Sequence, residues 1–101
     1  MGDEDLAKTI IEGFLMDIPN QIQTLGKLLE NGDISEVERQ AHMIKGAAGN
    51  VGGEVLREAA YDMERAANKG DLDIARASMQ EIENRFKRLK QYMDAYLNDM
   101  K

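Results

Sequence analysis

The chain has 101 residues, 43% hydrophobic and 32% charged, which suits a single soluble domain with one core and leaves no room for a second. Its 13 basic and 19 acidic residues give a net charge of -6, and no basic face is concentrated enough to make a nucleic acid an expected partner. The absence of cysteine excludes disulfides and thiolate chemistry. With no membrane-length apolar run and no signal-peptide pattern, membrane contact is not expected and a cytoplasmic location is the default.

Every segment reads at helical period, and none alternates as a strand would. A short first helix is expected from Glu4 to Met16, with Leu6, Ile10, Ile11 and Phe14 on its inner side. Pro19 lacks an amide proton and disfavours a helical residue before it, so a break or kink is expected there. The next helix turns Ile22, Leu25, Leu28 and Leu29 inward and stops at Asn31-Gly32, both tolerant of the left-handed conformation. Asp33 and Glu36 have the spacing of a capping box. They open a helix running to about Gly49, with Ile34, Val37, Ala41, Ile44 and Ala48 as its apolar stripe. Asn50-Val51-Gly52-Gly53 then punctuates the chain, as a break or only a kink.

A further helix carries Leu56, Ala59, Met63 and Ala66 and ends at Gly70. Asp71 caps the last and longest helix, whose seam is Leu72, Ala75, Met79, Ile82, Phe86, Leu89, Met93, Tyr96 and Met100. Met63, Met79, Met93 and Met100 occupy seam positions and read as core filler, whereas Met43 lies off the stripe. Short connections make consecutive helices antiparallel neighbours. The expectation is one all-α domain over residues 1–101, an antiparallel up-and-down four-helix bundle with a short additional N-terminal helix.

Chemistry-bearing residues are few. One histidine and no cysteine cannot build a histidine/cysteine metal site or a di-iron bundle, so no metal and no cofactor are expected. His42 is the only residue with obvious chemistry near neutral pH. At about 100° per residue the stripe from Ile34 to Ala48 centres opposite His42, which therefore faces solvent with Ser35, Glu38, Arg39, Lys45, Gly46 and Gly49. An exposed lone histidine is ordinarily without function, but these neighbours change that reading. Lys45 lies one turn on and brings an ammonium beside whatever the imidazole holds. Gly46 and Gly49 each cost a helix about 1 kcal/mol relative to alanine, which suggests that something bulky approaches this face closely. Gly13 and Gly26 also interrupt helices, and there glycine is expected to serve packing.

The stretch His42-Met43-Ile44-Lys45-Gly46-Ala47-Ala48-Gly49-Asn50-Val51-Gly52 resembles the signature of histidine-containing phosphotransfer (HPt) domains, His-x-x-Lys-Gly followed by five residues and Gly. The similarity extends over nearly the whole chain, including Phe14-Leu15-Met16-Asp17 before Pro19 and Ala59-Ala60-Tyr61-Asp62-Met63-Glu64 on the following helix. The resemblance implies the antiparallel four-helix bundle, with His42 as phosphoacceptor and Lys45 as the neighbouring charge. It also implies that Gly46 and Gly49 clear space for a receiver domain, and that Glu64 bonds the imidazole from the adjacent helix. On the residues alone, a Glu64 that is merely exposed is equally consistent. For receiver docking, Met43 at the edge of the exposed face and Ile11 on the first helix are the candidate apolar contacts, and a core position for Ile11 is as good a reading.

The implied protein is a phosphoryl carrier rather than an enzyme, because the receiver or kinase partner would supply the metal and the catalytic apparatus. Its expected partners are the receiver domains of response regulators, from which His42 would accept a phosphoryl group and to which it would pass one on. Two other classes stay open. One is the phosphoacceptor domain of a chemotaxis-type histidine kinase, and the other is a non-catalytic helical interaction module built on the seam from Leu72 to Met100. A helix starting directly after Met1-Gly2 points to a domain of a hybrid histidine kinase rather than a free-standing protein.

Overall fold

The structure is a computed structural model that describes residues 2–100; Met1 and Lys101 lie outside them. The described residues form four helices: α1 (Asp3–Asn31), α2 (Ile34–Asn50), α3 (Glu54–Asn68) and α4 (Leu72–Asp99). The separate N-terminal helix is not there. One helix of 29 residues runs through Pro19 without interruption. The local cost is a missing amide where the Leu15 carbonyl would find its donor. What offsets it is non-local, because Phe14, Ile18, Ile22, Leu25 and Leu29 on both sides of the proline are buried along one continuous face.

The stripes expected on the other helices are largely where the sequence puts them. Val37, Ala41, Ile44 and Ala48 are buried on α2, and Leu56, Ala59, Met63 and Ala66 on α3. On α4 Ala75, Ile82 and Met93 are buried, while Leu72, Met79, Phe86 and Leu89 pack at the edge of that core. The ends of the long helices depart from expectation. Leu6 (62% exposed), Ile10 (45%) and Tyr96 (42%) stand in solvent. The reason is length: α2 and α3 have 17 and 15 residues against 29 and 28 for α1 and α4, so the outer turns of the long pair have no short helix to cover them. Gly13 is also corrected, since a Cβ there would meet nothing within 4 Å and packing gives no reason for it. At Gly26 the Met79 methyl does lie 3.6 Å from that position.

Gly32 and Gly70 adopt φ of 72° and 75°, the left-handed conformation that terminates α1 and α3 at little steric cost. Asp71 caps α4 by accepting from the Ile74 amide at 3.0 Å. Asp33 holds the corresponding position before α2, but its side chain makes no capping bond, so the capping box read from Asp33 and Glu36 does not form. Gly53, at the α2–α3 turn, is held by close approach, since a Cβ would fall 2.8 Å from Leu89 Cδ2. Contacts across two of the seams run in opposite numerical order. Glu38 meets Asn68 and His42 meets Glu64 between α2 and α3, while Phe14 meets Phe86 and Leu29 meets Arg76 between α1 and α4. The α2–α3 seam is the most extensively packed. His42, Lys45 and Glu64 lie along it.

Candidate functional site

His42 sits in the middle of α2, between the buried Ala41 and the half-exposed Met43, with its side chain 65% exposed. Helical geometry makes this exposure unavoidable: the stripe that buries Ala41 and Ile44 completely leaves the intervening positions outside. The ring is not free to turn, however. Its Nδ1 lies 2.6 Å from Oε2 of Glu64 on α3. The other carboxylate oxygen, Oε1, accepts a bond from Lys45 Nζ at 2.7 Å. One carboxylate, 17% exposed, thus spans an imidazole and an ammonium that are one turn apart on the facing helix.

Electrostatics follow from that geometry. Burial pushes the Glu64 carboxyl up, but the hydrogen bonds from Lys45 and His42, with their charge, outweigh it and hold the group below the ordinary carboxylate range. Ionised Glu64 can only accept, so the shared proton belongs to Nδ1 and the lone pair of the neutral ring lies on Nε2. That atom is directed outward on an exposed ring. The arrangement fixes a tautomer, presents a nucleophilic nitrogen and sets a cation beside it, a combination suited to carrying a group on Nε2.

The sequence-derived candidates divide. His42, Lys45 and Glu64 come together, and Glu64, which the residues alone left undecided, touches both of the others. Gly46 is exposed, and nothing lies within 4 Å of where its Cβ would be, so the surface one turn from His42 is open. Gly49 is exposed too, but a Cβ there would press to 3.3 Å from Arg57 Cδ, which gives this glycine a reason inside the domain. Met43 is exposed. Ile11 is half-buried and packs against the core cluster, the alternative read for it from sequence. One neighbour was not foreseen. The Tyr61 ring lies 5.2 Å from Lys45 Nζ and 5.5 Å from the Arg65 guanidinium carbon. Its position three residues before Glu64 placed it on the same side of α3, but nothing local linked it to Lys45 on another helix.

Among the described residues there is no group of three or more His, Cys, Asp or Glu side chains arranged to hold a metal ion. None of the described helices is long and apolar enough to cross a membrane. No curated protein and no solved structure matches the chain. Among protein families, the Hpt domain matches residues 9–96, which takes in α2, α3 and nearly all of the two long helices. That span contains His42, Lys45 and Glu64 together with the core that holds them in register. The chain therefore belongs to the Hpt domain family, the phosphocarrier modules of histidine phosphotransfer in phosphorelays.

Proposed function

We propose that this chain is a single antiparallel four-helix domain that receives a phosphoryl group on Nε2 of His42 from a receiver aspartate and passes it to a second receiver. The observation that carries this reading is the Glu64 bridge, which fixes Nδ1 of an exposed histidine at 2.6 Å while holding Lys45 beside it. The opposed order of contacts across the seams supports the antiparallel architecture.

In the forward step the Nε2 lone pair of neutral His42 attacks phosphorus as the P–O bond to the aspartyl group breaks, and the receiver carboxylate leaves with that electron pair. The Nδ1 proton stays on the ring. Glu64 accepts its hydrogen bond and offsets the imidazolium charge that results. Lys45 faces the charge on the phosphoryl oxygens. Positioning and charge neutralisation supply most of what phosphoryl transfer needs, so a carrier that presents the nucleophile can leave the metal and remaining apparatus to the receiver. Open space at Gly46 lets the receiver approach, and Met43 offers an apolar contact there. Ile11, half-buried on α1, is the second apolar contact proposed for the receiver. A cytoplasmic domain, free-standing or within a hybrid kinase, fits this role.

The test is incubation with a charged receiver, followed by mapping of acid-labile phosphate. Phosphate on His42 supports the reading. Uptake only from an ATP-loaded kinase domain would instead make this a chemotaxis-type phosphoacceptor, and no uptake from either donor would leave an interaction module.

A further inference from the structure

Two cations, one of them paired with Glu64, share one aromatic neighbour. Lys45 Nζ lies 5.2 Å from the centroid of Tyr61, and the Arg65 guanidinium carbon lies 5.5 Å from it. Across the α2–α3 seam, Glu38 meets Asn68, His42 meets Glu64, and Gly49 abuts Arg57. This ladder puts Arg65, the residue after Glu64, opposite Ala41, one residue from His42, and Tyr61 opposite Lys45.

Charge decides why a second cation matters. Glu64 takes up the charge of Lys45 in a direct ion pair, so that cation is already matched before transfer. A phosphoryl group arrives with nearly two negative charges at neutral pH. Arg65 makes no ion pair among the described residues, and so its charge is uncommitted. The face of an aromatic ring attracts cations and holds them without neutralising them, unlike a carboxylate.

We infer that Tyr61 is a positioning residue of this site, its ring seating Lys45 and Arg65 as a pair of cations for the phosphoryl group on His42. The inference rests on His42 being the phosphoacceptor. Lys45 is shared between Glu64 and the ring, and Arg65 is held by the ring alone. As the phosphoryl group arrives, Arg65 supplies the charge that Glu64 has already drawn from Lys45.

Phosphoramidate tests this without any partner protein. Its P–N bond breaks and ammonia leaves as a new P–N bond forms at Nε2, with the Nδ1 proton retained toward Glu64. The rate of His42 phosphorylation in the full chain, followed by intact mass and phosphorus NMR, is the readout. Tyr61→Phe keeps the ring face and should react within about twofold of wild type. Tyr61→Leu keeps apolar bulk and favours the helix but has no such face. It should slow by about two- to fivefold, the size of an exposed cation–π contact, and Tyr61→Ala should do the same. Arg65→Gln should slow the reaction about twofold or more, and Tyr61→Leu combined with Arg65→Gln should be little slower than Tyr61→Leu alone, because both act through one seat. Equal rates for Tyr61→Leu and Tyr61→Phe would overturn the inference, as would an Arg65→Gln rate equal to wild type. A wild-type chain that takes no phosphoryl group on His42 would overturn the phosphotransfer reading and this inference with it.

Discussion

A carboxylate bonded to both an imidazole and an ammonium governs what each of them can do. Glu64 fixes the proton on Nδ1 of His42, so it decides which nitrogen keeps a free lone pair. His42 itself touches little of the core, and His42→Gln should abolish phosphate acceptance while shifting stability by less than about 0.5 kcal/mol. Phosphate on the variant chain, after incubation with a charged receiver, would show another acceptor; loss of its thermal transition would make His42 structural. Glu64 carries a pH signature. Folding lowers its pKa, so its ionised form stabilises the fold above the unfolded-chain value of about 4.3, and that contribution is lost as pH falls through the lower folded value. Glu64→Gln should therefore melt below wild type at neutral pH, and the gap should close as the pH drops below about 4. A gap that is constant from pH 7 to 3 would deny the carboxylate this role. His42 and Lys45 were legible in the sequence because exposure and one-turn spacing are properties of a single helix. Glu64 was reached only through the family resemblance and Tyr61 not at all, because what they touch lies on a different helix, and only tertiary packing sets that distance.

At the scale of the helix, Pro19 shows a local rule yielding to a long-range one. Proline and its predecessor favour a break, yet Ile18 and Ile22 on either side are both buried and α1 continues across it. The sequence signal was correct about the cost and silent about the core that outweighs it. Pro19 is exposed, so Pro19→Ala should restore the hydrogen bond to Leu15 and raise stability by about 1–3 kcal/mol, seen as a Tm several degrees higher. An unchanged or lower Tm would mean that α1 is shaped around the proline. Asp33 is the converse case, a capping spacing that formed no side-chain bond although the helix began where expected. Two glycines allow a sharper comparison. Gly13 and Gly46 both lie in helices with nothing within 4 Å of a Cβ, so leucine at either should leave the domain no less stable. Only Gly46→Leu should block receiver binding, because only Gly46 stands one turn from His42. Lys45→Ala should bind the receiver normally and transfer several-fold more slowly, about 1 kcal/mol for a cation that water partly screens. Receiver affinity and single-turnover rates for the three variants decide the matter: equal binding by Gly13→Leu and Gly46→Leu would remove the docking role from Gly46.

For the molecule as a whole, the site depends on how close α2 and α3 stand. Their seam is the most extensively packed, and small buried residues make that possible: Ala41 and Ala48 on α2, Ala59, Ala60 and Ala67 on α3. Apolar positions three and four apart made this core legible, along with the exposure of His42, whereas the exposed ends of α1 and α4 were not, since their cover depends on the length of other helices. Ala60 lies one turn before Glu64 and is fully buried. Ala60→Leu forces extra volume into a close-packed seam, and overpacking of this kind typically costs about 1–3 kcal/mol. Relief by separating the helices would also draw Glu64 away from His42, leaving the imidazole untethered. Ala75 on α4, equally buried, lies outside the α2–α3 seam, so Ala75→Leu should cost similar stability without touching the bridge. With both variants assayed well below their melting temperatures, Ala60→Leu should transfer phosphate markedly more slowly per folded molecule and Ala75→Leu should match wild type. Equal slowing of the two would show that general loosening of the bundle, not the α2–α3 spacing, limits transfer. A wild-type rate for Ala60→Leu would show that the Glu64 bridge survives a wider seam.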